Sequence, residues 1–583
     1  MSPVENPDAD AQAAALFDRL IRADSRRQTV FELPGLRLCV RSHIADWPIH
    51  RMEGGHSIVI GDVFERNLRY RAPPELGPFG QNDGQHICRT LSARFWGRYL
   101  AMGVDAARGP WLMRDPSGAF PVYLWTLGPV VIVSNTLASD LLAIAGGPPV
   151  IDWARMAILV ADPVQMGIIS PLRHVTMPVP GVLKHWTGKA DEIGDGFKDE
   201  PVWSPTEAAS RCETEPAKLA EIVESCLTLW GKGHQRVSLD LSGGLDSAIV
   251  LGALSKRPDG PIVHCLNINF SSAGDERPYA RAAAARWSAP VTEALVEPED
   301  LDYLQALTGP RHPRPLLYGM DVLMDRLSCE AATAAGASLA LTGQGGDAMF
   351  MQPATVFIAA DYLKCRGFDR HFLELVAVAA RRLNRSVWSI LRDIARPPAK
   401  TAHGDADLAS IAGPALQPVL GTSFDHPWQV EARGLAPGKR FQIDMLVNCQ
   451  IFHAPTRTAQ HFRLCHPLLS QPIVEACLSL PLWVLSPDIR DRGLARDLFA
   501  PLLPDVIRLR RSKGNTTNFY NRTITAHLGT LRPFLLDGQL VAHGLIDRDT
   551  LDALLDPHCL LLRNVHGLIA RLVTLEIWAA GWA

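Results

Sequence analysis

The chain lacks paired cysteines. Eleven cysteines are scattered over 583 residues without one Cys-x-x-Cys, so the zinc-site spacing is missing and the thiols read as reduced, mostly packed residues of a cytoplasmic protein. No histidine and cysteine cluster suggests a metal site, and His461 and His466 read as packing or surface residues. No apolar run is long enough for a membrane span, and the acidic, polar stretch Met1 to Asp10 does not resemble a signal peptide. An excess of one charge is also missing. With 58 basic and 61 acidic side chains the net charge is −3, which leaves no global basic field for nucleic acid. There is no internal repeat and no strong low-complexity tract. What remains is a globular composition, 47% hydrophobic and 20% charged, in a chain long enough for more than one domain.

Up to about residue 205 the chain shows short apolar runs (His56–Ile60, Phe120–Trp125, Val130–Val133) broken by Pro and Gly. This pattern predicts a mainly β first domain, residues 1–205, with a polar link over Gly188 to Thr206. From about 215 the pattern alternates. Helix Pro216–Trp230 precedes strand Val237–Leu241 and a helix. Strand Ile262–Ile268, helix Glu276–Trp287 and strand Val291–Leu295 follow, then helix Met320–Ala335 and strand Ser338–Thr342. That alternation predicts a parallel, helix-covered sheet in a second domain, residues 206–583, whose ligands sit beyond the carboxyl ends of the strands. After 350 the chain reads as mostly helical. Arg396 to Lys439, rich in Pro, Gly and Ala, reads as a long surface insertion or a partly disordered stretch.

The most informative run is Ser242-Gly243-Gly244-Leu245-Asp246-Ser247, between an apolar strand and a helix start. That setting presents backbone N–H groups to a phosphate. Gly243 and Gly244 permit close approach and positive φ, and Ser242 and Ser247 add hydroxyls. Asp246 is out of place in an anion site unless it holds the cation that accompanies the anion, as Mg²⁺ accompanies a nucleotide's phosphates. The loop differs from the Walker pattern. A second strand end reads Gly343-Gln344-Gly345-Gly346-Asp347. If its strand neighbours the first, Asp246 and Asp347 converge as a Mg²⁺-binding pair. Without that juxtaposition each is a glycine-rich turn with a solvated carboxylate. A late basic cluster, Arg508, Arg510, Arg511 and Lys513-Gly514, is either a solvated face or a source of one lysine for a polyanionic site.

The first loop resembles the pyrophosphate loop of the ATP pyrophosphatases. Together with the second loop, the segment His466-Pro467-Leu468-Leu469 and the late Arg-x-x-Lys, it is similar to the synthetase domain of the asparagine synthetase family, from about Pro216 to Trp582. Trp96-Gly97-Arg98-Tyr99, Arg114 to Gly118, Pro121-Val122-Tyr123 and Pro180-Gly181 resemble that family's N-terminal-nucleophile glutaminase domain. The resemblance implies an α/β protein with a β-rich glutaminase-like domain followed by an adenine-nucleotide α-hydrolase-like synthetase domain and a helical C-terminal part. It implies ATP and Mg²⁺, with Ser242, Gly243, Gly244, Asp246, Ser247 and Gly343 on the nucleotide. Asp246 and Asp347 would hold the metal, and Lys513 would stabilise charge on the intermediate.

The departures narrow the chemistry. Glutamine hydrolysis in that fold needs an N-terminal cysteine, whereas position 2 is Ser2, next to Pro3, and the nearest cysteine is Cys39. The first domain therefore reads as lacking glutaminase activity. Relatives without that cysteine use an amine already in the substrate, namely β-lactam synthetases and lasso peptide macrolactam cyclases. The Tyr–Glu pair of the β-lactam enzymes falls on Gln344 and Arg463, neither of which can serve as a base, so the cyclase reading is preferred. It implies a ribosomal precursor peptide as substrate, with a leader-peptide recognition protein and a cysteine peptidase as partners. The other readings are an amide ligase using ammonia or a small amine, a tRNA- or nucleotide-modifying enzyme, and a peptide-binding protein without activity.

Overall fold

The computed structural model describes residues 1–3, 6–41, 47–52, 54–66, 83–188, 196–213, 215–270, 274–301, 307, 311–316, 322–396, 406–511, 517–563 and 565–583. The N-terminal part is β-rich, as expected. It runs α1 (Pro7–Ala23), β1 (Arg27–Leu33), β2 (Leu36–Arg41), β3 (Ile49–Arg51), β4 (Ser57–Glu65), α2 (Gly84–Arg94), β5 (Phe95–Asp105), β6 (Gly109–Arg114), β7 (Tyr123–Leu127) and β8 (Val130–Ser134). Then come α3 (Ser139–Ile144), α4 (Trp153–Ala161), β9 (Val175–Thr176), β10 (Val182–Trp186) and β11 (Phe197–Pro201). A six-stranded sheet has the order β11-β10-β6-β5-β4-β3, and a second sheet the order β8-β7-β9.

Alternation along the strands builds this part. Ile58, Ile60, Leu100, Met102 and Leu112 face Phe120, Leu124 and Val131. Val59, Tyr99, Ala101, Trp111 and Met113 face Ile87, Cys88 and Leu91 of α2 on the other side. Helix α1 was not expected from the polar start of the chain, although Leu16, Phe17, Leu20 and Ile21 give it an apolar stripe. It begins with Pro7, and its Asn6 cap accepts the Ala9 N–H at 3.1 Å.

The second part opens with α5 (Pro205–Ala209) and α6 (Ala217–Gly231). It continues through β12 (Arg236–Asp240), α7 (Leu245–Ser255), β13 (Ile262–Phe270), α8 (Arg277–Arg286), β14 (Val291–Val296), α9 (Val322–Ala334), β15 (Leu339–Thr342) and α10 (Gly346–Met349), and later β16 (Arg463–Cys465). The five strands pair in parallel in the order β14-β13-β12-β15-β16. Val237, Leu239, Leu339 and Leu341 point into a core shared with α6, α7 and α8. The opposite face carries Ser238 and Asp240 under α9, whose Ser328 bonds to Asp240. β12, with the first glycine loop at its end, is central. β15, with the second loop, is hydrogen-bonded beside it in the register Asp240↔Thr342.

The stretch 396–439 is not a free surface insertion where the structure describes it. Leu408, Ile411, Leu416 and Trp428 are at most 2% exposed, and residues 397–405 lie outside the described residues. Apolar side chains, and not periodicity, anchor its short helices Ala406–Ser410 and Pro427–Glu431. The two parts of the chain meet through charged pairs. Arg66 forks onto Glu475, which also accepts from Trp203 Nε1 at 2.7 Å. Asp62 receives Arg98 and Arg463, each at 3.1 Å. No helix among the described residues is long and apolar enough to cross a membrane.

Candidate active site

The two loops touch backbone to backbone, and glycine is what allows it. A Cβ on Gly343 would lie 2.5 Å from Ser247 N, and one on Gly346 would lie 2.4 Å from Asp246 Cγ. Gly243 sits at φ +75°, where a Cβ would also meet the Glu276 carbonyl at 2.8 Å. Gly244 caps α7 and its N–H donates to Ser242 Oγ at 3.3 Å. The Ser242 and Ser247 hydroxyls are 3.3 Å apart. Ten consecutive residues of α7, Leu245 to Leu254, are buried, so Asp246 rides in the first turn of a helix that cannot shift without disrupting the core.

Asp246 and Asp347 converge. One guanidinium nitrogen of Arg492, Nη1, bonds Asp246 Oδ2 at 2.5 Å and also Asp347 Oδ1. Arg492 holds Asp491 Oδ2 through Nε and Nη2 at 2.9 and 2.6 Å. Arg496 takes the other Asp491 oxygen at 2.8 Å. Burial works against the charge on Arg492, but the three carboxylates outweigh it and hold the guanidinium above its usual range. Burial likewise raises Asp491, and the two arginines more than reverse it, leaving the carboxyl below its usual range. Arg492 has a left-handed backbone, φ +55°, a cost borne at the point where three carboxylates need one cation.

Beside this cluster lies a cavity of about 390 Å³, lined by Gly243, Gly244, Asp491 and five arginines, Arg382, Arg492, Arg496, Arg510 and Arg511. Arg510 is oriented by a fork onto Glu276 (2.6 and 2.7 Å) and lies 3.7 Å from the Tyr279 ring centre. A glycine loop at a helix start, beside an arginine-lined hollow, suits a polyphosphate.

The carboxylate pair fits Mg²⁺. Its oxygens already share one cation position, and they are hard donors. Among the described residues no group of three or more His, Cys, Asp or Glu could hold an ion alone. Mg²⁺ is commonly bound by one or two carboxylates and completed by substrate phosphates.

Asp246, Ser242, Gly243, Gly244, Ser247, Gly343 and Asp347 are therefore brought together. Lys513 lies outside the described residues. Arg463 pairs with Asp62, and Gln344 is exposed. Ser2 is buried, with its hydroxyl on Asp10 at 2.9 Å. His466 packs as expected, buried, with Nδ1 accepting from Thr342 and Nε2 donating to the Phe452 carbonyl. Sequence reasoning missed Arg492, Asp491, Arg496, Arg382 and Glu276. The charge-dense run Asp488-Ile489-Arg490-Asp491-Arg492 was the available signal, but surface ion pairs look the same in a sequence.

A central strand and its neighbour, each ending in a glycine loop with one aspartate, define a parallel α/β protein that can hold a phosphate chain and a cation at the carboxyl edge of its sheet. The family model described as asparagine synthase matches residues 218–580, and the chain belongs to that family. It is an ATP-dependent amide ligase in kind. No curated protein matches it. Among solved structures, the U34-tRNA thiolase NcsA from Methanococcus maripaludis with its 4Fe-4S cluster is similar at 13% identity, over 40% of this chain and 79% of that one, with a TM-score of 0.20.

Proposed function

We propose that the protein joins an amine and a carboxyl group of one peptide, closing the macrolactam ring of a lasso peptide between the N-terminal amine and an Asp or Glu side chain. The observation that carries this reading is what stands where a small-substrate base pair would: Gln344 has no proton-accepting group, and Arg463 is tied to Asp62 of the N-terminal part at 3.1 Å. The substrate then brings both reacting groups itself.

Ser242, Ser247 and the N–H groups of Gly243 and Gly244 would cradle the β- and γ-phosphates of ATP, with Arg492, Arg496 and Arg510 completing the anion site. Asp246 and Asp347 would hold Mg²⁺, which when bound neutralises charge on the phosphates. The substrate carboxylate attacks the α-phosphorus and pyrophosphate leaves. The amine then attacks the acyl carbon and AMP leaves, with Lys513 countering the charge on the intermediate. Holding both ends of one peptide makes the second step effectively unimolecular, worth up to roughly 7–11 kcal/mol. On this reading a leader-peptide recognition protein and a cysteine peptidase deliver the processed peptide.

The test is incubation with ATP, Mg²⁺ and a linear peptide carrying a free N-terminal glycine and an internal aspartate. The expected yield is AMP, pyrophosphate and a product lighter by one water. Release of ADP, or asparagine from aspartate and ammonium without any cyclic product, overturns the reading.

A further inference from the structure

The in-line geometry of phosphoryl attack sets which side of the sheet edge the substrate occupies. The loop 242–247 leads from β12 into α7, which packs on the face bearing Val237 and Leu239, so a pyrophosphate held by that loop would depart over that face. The attacking oxygen stands opposite the leaving oxygen across phosphorus. The carboxyl group, and the amine that follows it, would then come over the other face, the one covered by α9.

On that face, at the carboxyl edge of the central strand, stands Asp240. It is two residues before Ser242, half-buried, in register with Thr342 at the foot of the second loop. Both of its oxygens are 3.1 Å from the hydroxyl of Ser328 in α9. A carboxylate beside a glycine phosphate loop has no stabilising logic. It repels the anion, and no cation pairs with it among the described residues, in contrast to Asp246, Asp347 and Asp491.

Asp325, whose charge acts on Asp240, and His466, which bonds to Thr342 beside it, are already committed. Asp325 of α9 accepts from the N–H groups of Arg457 and Thr458 and from the Thr458 hydroxyl. Both ring nitrogens of His466 are engaged, by Thr342 and the Phe452 carbonyl, and burial lowers its pKa to about 4.

We propose that Asp240 is the base that removes the proton from the attacking amine. The inference rests on the amide-forming reading above. The amine enters as the free base, its ammonium proton already lost to water. As nitrogen bonds to the acyl carbon, the carbon–oxygen bond to AMP breaks and its electron pair leaves with AMP. The proton released from nitrogen passes to Asp240 and from there to solvent. Ser328 is a positioning residue, holding the carboxylate toward the edge. Burial raises the Asp240 carboxyl to about 7, close to neutral pH, where a base is most effective.

The experiment uses the full chain with ATP, Mg²⁺ and two probes. One is the linear peptide with a free N-terminal glycine and an internal aspartate. The other is the same peptide acetylated at its N-terminus, with hydroxylamine as the nucleophile, which needs little help to lose a proton. Asp240→Asn should slow ring closure about 100-fold or more while hydroxamate formation stays at the wild-type rate, and Asp240→Glu should recover part of the ring closure. Ring closure by Asp240→Asn at the wild-type rate, or equal loss of both products in a folded variant, overturns the role. If Asp240→Asn does not fold, Ser328→Ala decides. Slower ring closure with unchanged hydroxamate supports the role, and no separation of the two refutes it. A wild-type protein that releases no pyrophosphate with either peptide overturns the amide-forming reading itself, a result distinct from all of these.

Discussion

Replacing Arg492 by alanine is the sharpest probe of the site. Asp246 is 10% and Asp491 27% exposed at the side chain, whereas Asp347 is 57% exposed. Loss of the guanidinium removes the cation that Asp246 and Asp347 share, while Asp491 keeps Arg496. Breaking a buried pair costs about 3 kcal/mol or slightly more, and the exposed Asp347 contact adds little. Part of the left-handed backbone strain at position 492 remains with alanine, so it does not offset the loss. The assay is the midpoint of thermal unfolding with and without Mg²⁺. The variant should melt several degrees below wild type without the ion. Millimolar Mg²⁺ should then raise its midpoint more than that of wild type, because a divalent ion can occupy the position the guanidinium left. A variant that melts with wild type shows that the bridge carries no energy. One that is destabilised but indifferent to Mg²⁺ refutes the assignment of Asp246 and Asp347 as a cation site.

Three other outcomes follow from the same geometry. Asp347→Asn should abolish pyrophosphate release while shifting the melting midpoint little, since that side chain is largely exposed, and a large destabilisation would contradict this. Gly346→Ala must push Asp246 aside, its Cβ lying 2.4 Å from Asp246 Cγ, so pyrophosphate release should be lost with a stability cost of about 1–3 kcal/mol, whereas a fully active variant would show that the loops do not pack so tightly. The third concerns pH. Burial pushes the Asp240 carboxyl up from its ordinary 3.8 to about 7 in the folded state, so between those limits the folded state binds the extra proton and wild-type stability falls as pH rises. Asp240→Asn has no such proton and should gain on wild type from pH 4 to pH 7, by at most about 4 kcal/mol. Denaturation of both proteins at the two pH values measures the difference, and parallel curves would refute the raised pKa.

Much of the site was legible because it is local. Ser242 to Ser247 and Gly343 to Asp347 are contiguous, and glycine after an apolar strand has few physical meanings. The alternation from 215 onward announced the parallel sheet for the same reason, since both faces of each strand must be apolar enough to be covered. Helix α1 was missed although its cap, its proline and an apolar stripe over Leu16, Phe17, Leu20 and Ile21 were all present, because the acidic residues before them dominated the reading of the chain's start. The stretch after 396 was misread because Leu408, Leu416 and Trp428 are too widely spaced to form a periodic pattern, and their burial depends on partners far along the chain.

The amino-acid order alone therefore determined the two glycine loops, the kind of sheet that bears them, and the presence of a glutamine at 344 and an arginine at 463. Tertiary structure decided that the two loops are neighbours, that Arg492, 145 residues beyond Asp347, supplies their shared cation, and that Asp240 lies in register with Thr342 and bonds to Ser328 of α9. The physical reason is range. Backbone conformation answers to adjacent residues, whereas the field at a carboxylate answers to whichever charges the fold sets within a few ångströms of it.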